Sequence, residues 1–208
     1  RPRYGVLLCI NGTGILNAWV KKTTVPDMSY PEVNRRCAEI PVGSEGVLML
    51  PFGNGAERML GNRYTGAEAI GLDLNRHDRF HLLRAAQEGI AFAFRYGMDV
   101  MRETGLRLRV IRAGYANLFL SPVFRQTLAT LCGADIELYN TDGALGAARG
   151  AALGAGLYAS REETFASLRK IDEVRPDPAD RDVLERGYAR WKAELENRLG
   201  RASHGTSV

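Results

Sequence analysis

The feature that most constrains the fold is a long segment between Asp78 and Gly105 whose apolar residues recur at helical spacing. These apolar positions are Leu82, Leu83, Ala86, Ile90, Ala93, Phe94, Gly97, Met98 and Met101. Such a wide apolar surface predicts a helix with extensive burial. Asp78 is a suitable N-cap, and Gly105 is a suitable stop after about Thr104. Other elements must therefore cover this helix.

Short apolar runs alternate with helical segments along the rest of the chain. Residues 4–10 and 15–20 are apolar runs on either side of a Gly-rich bend, which predicts a β-hairpin. The later predictions are a helix over 30–40, a strand over 46–51, the long helix, a strand over 106–112, a helix over 122–132, a strand over 136–139, a helix over 142–159 and a tail helix over 180–199. This order favours an α/β fold, a sheet with helices packed on it.

Composition excludes several classes of protein. Net charge is +4 and the charges are scattered, so nucleic-acid binding is not expected. Cys9, Cys37 and Cys132 are far apart and lack metal-site spacing, which predicts free thiols in a reducing cytoplasm and no metal centre. No stretch approaches the ~20 apolar residues that a membrane helix needs, so no membrane partner is expected.

The first candidate site is the bend formed by Gly12, Thr13 and Gly14. Glycines allow backbone N–H groups to approach an anion, and the threonine hydroxyl adds a donor for a phosphate oxygen. The alternative interpretation is a hairpin turn without a ligand, because Asn-Gly is a strong turn signal.

The second candidate site is the turn formed by Ala113, Gly114, Tyr115, Ala116 and Asn117, after a predicted strand. Ligands of α/β folds lie at the carboxyl ends of strands. Small residues let a flat base approach the backbone, and Asn117 offers a donor and an acceptor to an adenine edge. The alternative is a plain strand-to-helix connection in which Asn117 is a cap.

Three further features have mainly structural interpretations. The small residues after Asp142 favour close helix packing, with Asp142 as the N-cap. Glu57 and Arg58 either face a cleft or belong to an ion pair or a surface loop. His77 and His81 are expected at a solvated helix start. No phosphate-loop, dinucleotide or nucleophile-turn motif is present, and no general base is evident.

Taken together, the motifs resemble those of the C-terminal domain of the FGGY carbohydrate kinases, over about residues 4–159 and more loosely into the tail helix. The matching segments, in family order, are INGTG (10–14), LPF followed by GAER (50–58), AQEGIAF (86–92), VIRAGYANLF (110–119) and DGALGAA (142–148). Xylulokinase-like members are the most similar within the family.

The resemblance implies an actin-like, ribonuclease-H-like fold with ATP in a cleft between two lobes. Residues 1–160 would form the nucleotide-binding lobe, and 161–208 a linker and helical extension of the same domain. Gly12, Thr13 and Gly14 would hold the phosphates, and residues 113–117 the adenosine. The N-terminal lobe, expected to lie outside this sequence, would supply the sugar pocket and the catalytic aspartate, so no catalytic residue is assigned here.

The implied reaction transfers the γ-phosphate of ATP, with Mg²⁺, to a sugar hydroxyl, and D-xylulose is the predicted substrate. The isolated chain is expected to bind ATP weakly and to lack kinase activity. A cytoplasmic enzyme is implied, and a homodimer is possible. The alternatives are another FGGY kinase acting on glycerol, ribulose, gluconate or fuculose, and a non-catalytic actin-like nucleotide-binding module.

One departure from the family pattern affects the second candidate site. Arg112, Ala113 and Gly114 stand where the family usually has a run of glycines. Arg112 would either crowd the base or reach a phosphate, which leaves nucleotide choice open.

Overall fold

The computed structural model describes residues 5–204 as a mixed α/β fold. Its helices are α1 (Thr13–Thr24), α2 (Tyr30–Glu39), α3 (Arg79–Glu103), α4 (Pro122–Cys132), α5 (Gly143–Gly154), α6 (Arg161–Thr164) and α7 (Arg181–His204). Its strands are β1 (Leu48–Phe52), β2 (Gly66–Ile70), β3 (Val110–Gly114), β4 (Asp135–Tyr139) and β5 (Lys170–Val174). β1 and β2 pair antiparallel. A separate mixed sheet has the order β3-β4-β5, with β3 parallel and β5 antiparallel to β4.

Helix α3 occupies the centre of the fold, as its wide apolar surface predicts. It packs against β1, α4, α1 and α2. At Gly89 the backbone of α3 approaches β1 so closely that a Cβ would lie 2.1 Å from the Met49 carbonyl oxygen. A glycine is therefore needed where the helix crosses the strand.

The start of α3 is capped as predicted, but the two histidines differ from expectation. The Asp78 carboxylate accepts hydrogen bonds from the backbone N–H groups of Phe80 and His81. The Asp78 N–H in turn donates to the His81 ring, completing a capping box. His81 is only 8% exposed. The expectation of a solvated pair was wrong for His81, because its ring is part of the cap.

The predicted hairpin at the start of the chain is also wrong. Residue 4 lies outside the described residues, residues 5–10 form no strand, and the second run belongs to α1. Leu16 and Val20, four residues apart, are buried, whereas Trp19 is exposed. This pattern has helical rather than alternating period, and the packing of one apolar face determines the structure.

The other predicted elements are present, with shifts at their ends. β3 begins at Val110 rather than at residue 106, and α5 ends at Gly154 rather than near 159. β2, α6 and β5 were not predicted. β5 presents exposed residues over most of its length, so its composition carries little apolar signal.

The tail helix α7 is part of the hydrophobic core. It packs against α3, α4 and β1. Trp191 is fully buried, and its indole N–H donates to the Met49 carbonyl at 2.9 Å. Phe52 and Phe92 lie beside it, with ring centroids at 5.9 and 6.1 Å.

A buried ion pair joins α3 to the connection between α2 and β1. Arg84 Nε lies 2.8 Å from Glu88 Oε1. The same carboxylate accepts hydrogen bonds from the Gly43 N–H and the Ser44 hydroxyl, at 3.0 and 2.8 Å. The pair therefore holds a loop in which Gly43 and Ser44 both have positive φ.

The predicted free thiols are confirmed. Cys9, Cys37 and Cys132 form no disulfide. Burial raises the pKa of Cys37 and of Cys132 to about 12, so both stay protonated near neutral pH. No helix within residues 5–204 combines the length and the apolar character needed to cross a bilayer.

Candidate functional site

The two candidate segments of the sequence meet in one cleft of about 630 Å³. Its lining includes Thr13, Gly14 and Asn17 of α1, Gly114, Ala116 and Asn117 after β3, and Asp142 and Gly143 at the start of α5. This volume is in the range of small-molecule sites. Segments far apart in sequence therefore line one ligand-sized cleft.

One wall is the amino end of α1. The first backbone hydrogen bond of this helix runs from the Leu16 N–H to the Gly12 carbonyl. The N–H groups of Thr13, Gly14 and Ile15 come before that bond, and no side chain caps the helix. By contrast α2, α3, α4, α5 and α6 all have side-chain caps. An uncapped helix start beside a cleft provides donors and a positive dipole end for an anion.

Gly12 allows α1 to begin directly against β1. A Cβ at Gly12 would lie 1.6 Å from the Pro51 carbonyl oxygen. This distance is too short for any side chain, so the position requires glycine. Gly12 is buried and does not line the cleft. Its contribution is to place Thr13 and Gly14 at the cleft wall.

We expect Gly12→Ala to lower the free energy of unfolding by about 1–3 kcal/mol, since the new methyl group must displace backbone. Gly14→Ala is the matched control, because a Cβ there meets nothing within 4 Å. Urea unfolding of the two variants measures the difference. Equal stability of both variants would contradict this close approach.

A second part of the cleft lining is the turn that follows β3. β3 and β4 are parallel, so their carboxyl ends lie at the same edge of the sheet. The Tyr115 N–H donates to the Tyr139 carbonyl at 2.8 Å. Asn117 has a φ of 53°, a left-handed conformation that asparagine tolerates. These contacts place the Asn117 backbone at the cleft rather than in the sheet.

Gly114 joins this turn to the start of α5. A Cβ at Gly114 would lie 2.3 Å from the Thr141 carbonyl oxygen. Because the two backbones touch here, Asp142 and Gly143 reach the same cleft. The Asp142 carboxylate accepts the Leu145 N–H at 2.7 Å, which confirms its predicted role as the N-cap of α5.

Two residues of the predicted adenosine turn lie outside the cleft lining. Ala113 is half-buried and packs against the core. Tyr115 is exposed, and the Arg125 guanidinium lies over its ring at 5.8 Å. These two positions shape the turn, and Gly114, Ala116 and Asn117 face the cleft.

The departure at Arg112 does not obstruct the cleft. Its guanidinium pairs with the Glu137 carboxylate on β4, at 2.8 Å, and Arg112 is absent from the cleft lining. Hydrogen bonds from Tyr139 and Arg112 hold the pKa of Glu137 below its usual value. Of the two expectations, crowding the base or reaching a phosphate, this structure shows neither.

Neither Glu57 nor Arg58 lines the cleft. Arg58 is exposed, whereas Glu57 is buried and both of its carboxylate oxygens accept the Asn11 N–H. Glu57 therefore binds the residue that precedes Gly12, rather than facing the cleft itself.

Sequence reasoning missed most of the remaining cleft residues, among them Asn17 and Gly143. Asn17 is on the second turn of α1, so only a helical interpretation of this segment places it beside Thr13 and Gly14. Gly143 follows the N-cap of α5, and the small-residue run was interpreted as packing. In the part of the chain that the structure describes, no group of three or more acidic, histidine or cysteine residues could hold a metal ion.

Comparison with known proteins identifies the family. The model of the FGGY family of carbohydrate kinases, C-terminal domain, matches residues 1–159. The chain is 30% identical over 179 residues to the xylulose kinase of Haemophilus influenzae, covering 81% of this chain and 35% of that protein. It is 30% identical over 173 residues to the L-xylulose/3-keto-L-gulonate kinase of Escherichia coli, covering 80% of this chain and 33% of that protein. The chain thus spans about a third of these relatives.

The fold agrees with this relationship. The crystal structure of xylulose kinase from Rhodospirillum rubrum superposes with a TM-score of 0.78 at 27% identity, covering 94% of this chain and 40% of that one. The predicted fold class, an actin-like, ribonuclease-H-like lobe with a mixed sheet flanked by helices, is confirmed. The chain belongs to the FGGY family of carbohydrate kinases and carries that family's C-terminal domain.

Proposed function

We propose that this chain is the ATP-binding lobe of a carbohydrate kinase that transfers the γ-phosphate of ATP to a sugar hydroxyl. The observation that supports this most directly is that Thr13 and Gly14 line the same cleft as Gly114, Ala116 and Asn117. Its two walls have different chemistry. One offers backbone donors at a helix start, and the other offers a turn of small residues with one amide side chain.

From this difference we infer which part of the nucleotide each wall would bind. The N–H groups at the start of α1, with the Thr13 hydroxyl, would donate to phosphate oxygens. Gly114 and Ala116 would lie against the adenine, and Asn117 would hydrogen-bond its edge. The positive end of the α1 dipole is then at the triphosphate, where negative charge is greatest.

Mg²⁺ would be held mainly by the nucleotide. Among the described residues that line the cleft, Asp142 is the one acidic residue, and one of its oxygens already accepts the Leu145 N–H. A carboxylate with one oxygen still free to bind suits a cation whose other ligands would be phosphates and water. The metal supplies charge neutralisation at the transferred phosphate, while Asp142 would orient it from one side.

The sugar site and the general base would come from the N-terminal lobe of the family. D-xylulose is the proposed substrate, since the H. influenzae relative is named a xylulose kinase. Residues 1–160 would form the nucleotide-binding lobe, and 161–208 an extension of the same domain. We assign the intact protein to the cytoplasm, and leave homodimer formation as a further prediction.

Calorimetric titration of the chain with ATP tests this proposal. We expect weak binding by wild type and no phosphorylation of D-xylulose, because the lobe that carries the base is needed for transfer. Thr13→Ala should weaken ATP binding by about 1.5–3 kcal/mol, the contribution of a hydrogen bond to a charged group.

Thr23→Ala is the matched control for this titration. Thr23 lies near the other end of α1, where its hydroxyl donates to the Trp19 carbonyl. We expect wild-type affinity in this variant. Absence of any ATP binding by the folded wild-type chain would contradict the proposal, and an unchanged affinity of Thr13→Ala would remove Thr13 from the phosphate site.

A further inference from the structure

The loop between β1 and β2 holds the residue that precedes the cleft wall. Asn11 is bound to this loop at three points. Its backbone N–H donates to both carboxylate oxygens of Glu57, at 3.1 and 3.0 Å. Its side-chain amide donates to the Ala56 carbonyl at 3.1 Å, and its own carbonyl accepts from the Asn54 side chain at 3.2 Å.

Glu57 is itself rigidly placed. The residue is 1% exposed. Its backbone N–H donates to the Arg63 carbonyl at 2.9 Å, and its carbonyl accepts the N–H groups of Leu60 and Asn62. The backbone of Glu57 is thus fixed in the loop, and its buried carboxylate presents both oxygens to the Asn11 N–H.

The position of Asn11 decides where α1 begins. The next residue, Gly12, lies against the Pro51 carbonyl with no room for a side chain. Thr13 and Gly14 then form the cleft wall. Glu57 does not line the cleft, so any effect it has on a ligand must pass through Asn11 and the start of α1.

We infer that Glu57 is a positioning residue for the phosphate-binding end of the cleft. This role rests on the proposed function, because it supposes that the start of α1 receives phosphates. The carboxylate suits the role because both of its oxygens accept the Asn11 N–H, and hydrogen bonds to an ionised acceptor are the stronger ones.

The test compares ATP with adenosine as titrants of the full 208-residue chain. Glu57→Ala frees Asn11, so its ATP dissociation constant should rise about tenfold, as expected for loss of a hydrogen bond to a charged group. Adenosine binding should stay unchanged, since adenosine has no phosphate. Glu57→Gln keeps the side-chain volume but replaces one acceptor with a donor, and should show a smaller rise.

Two further variants separate positioning from general stability. Glu88→Gln alters a carboxylate that is also 1% exposed but lies outside the cleft lining, so both affinities should persist in the folded protein. Asn54→Ala removes an exposed donor to Asn11 and should weaken ATP binding by a few-fold without perturbing the core. It keeps the test decisive if Glu57→Ala fails to fold.

Each outcome has a definite meaning. Selective loss of ATP affinity in the Glu57 and Asn54 variants supports the role. Unchanged ATP affinity in these variants, or an equal loss for ATP and adenosine, overturns it while the proposed function stands. If folded wild type binds neither titrant, the proposed function fails and this role fails with it.

Discussion

Replacing Trp191 with alanine should lower the free energy of unfolding by about 3–5 kcal/mol, the range for truncating a large buried aromatic side chain. The indole is fully buried and lies at the junction of α7 with α3 and β1. Truncation removes ring contacts with Phe52, Phe92 and Tyr188. It also leaves the Met49 carbonyl without the indole donor.

The second tryptophan of the chain provides the control. Trp19 is 62% exposed on α1, so Trp19→Ala should change the free energy of unfolding by about 0.5 kcal/mol or less. Urea unfolding followed by far-UV circular dichroism measures both variants. If Trp191→Ala were no less stable than Trp19→Ala, α7 would not belong to the core.

This pair of variants also bears on domain organisation. A large loss of stability on removing Trp191 would show that the tail helix and the residues before 160 unfold together. That result would support the prediction that 161–208 extends the same domain. Independent unfolding of α7 in a second transition would favour a separate unit instead.

The sequence predicts the capped helices well because their signals are local. Asp78 was predicted to cap α3 and Asp142 to cap α5, and the structure confirms both caps. A cap depends on the residue and on its next few neighbours in the chain, so distant contacts hardly alter it.

The first helix could not be predicted in the same way. Asn11 and Gly12 form a strong turn signal, and the apolar run after them is short enough to suit a strand. The structure instead buries Leu16 and Val20 against α3 and holds Asn11 on the β1–β2 loop. Both determinants are distant in sequence, so the local pattern was ambiguous.

The candidate site likewise has features that local sequence predicts and others that depend on distant contacts. The turn over 113–117 follows a predicted strand, which made it a reasonable ligand position from sequence. The structure adds that β3 pairs parallel with β4. The proximity of this turn to Thr13 followed only from the resemblance to the family, and the cleft geometry agrees with it. The contacts of Glu57 with Asn11 and of Gly12 with Pro51 join residues that are distant in sequence. No local sequence pattern predicts such contacts.

Arg84→Met is expected to cost about 3–5 kcal/mol of unfolding free energy near neutral pH, because it leaves Glu88 as a buried charge without its partner. The methionine keeps most of the side-chain volume, so the loss is electrostatic rather than a cavity effect. Arg84 also donates to the carbonyls of Cys37 and Ile40 at the end of α2, at 3.1 and 2.7 Å. Their loss adds to the effect.

The pH dependence of this variant separates charge from packing. Burial raises the pKa of Glu88 even in the wild-type chain, and Arg84 opposes that rise. A carboxyl whose pKa is raised by folding contributes stability below its unfolded pKa and loses it as pH rises through the folded pKa. Without Arg84 the folded pKa rises further, so Arg84→Met should be closest to wild type at about pH 5 and furthest from it at about pH 8.

Arg35→Met is the matched control, since Arg35 and Glu39 form a pair of the same spacing on the exposed face of α2. Exposed pairs contribute about 0–1 kcal/mol, so this variant should unfold nearly as wild type at every pH. Urea midpoints at several pH values measure both. A pH-independent loss in Arg84→Met would assign it to the α2 carbonyls and packing, because only a buried carboxylate makes the loss grow as protons leave.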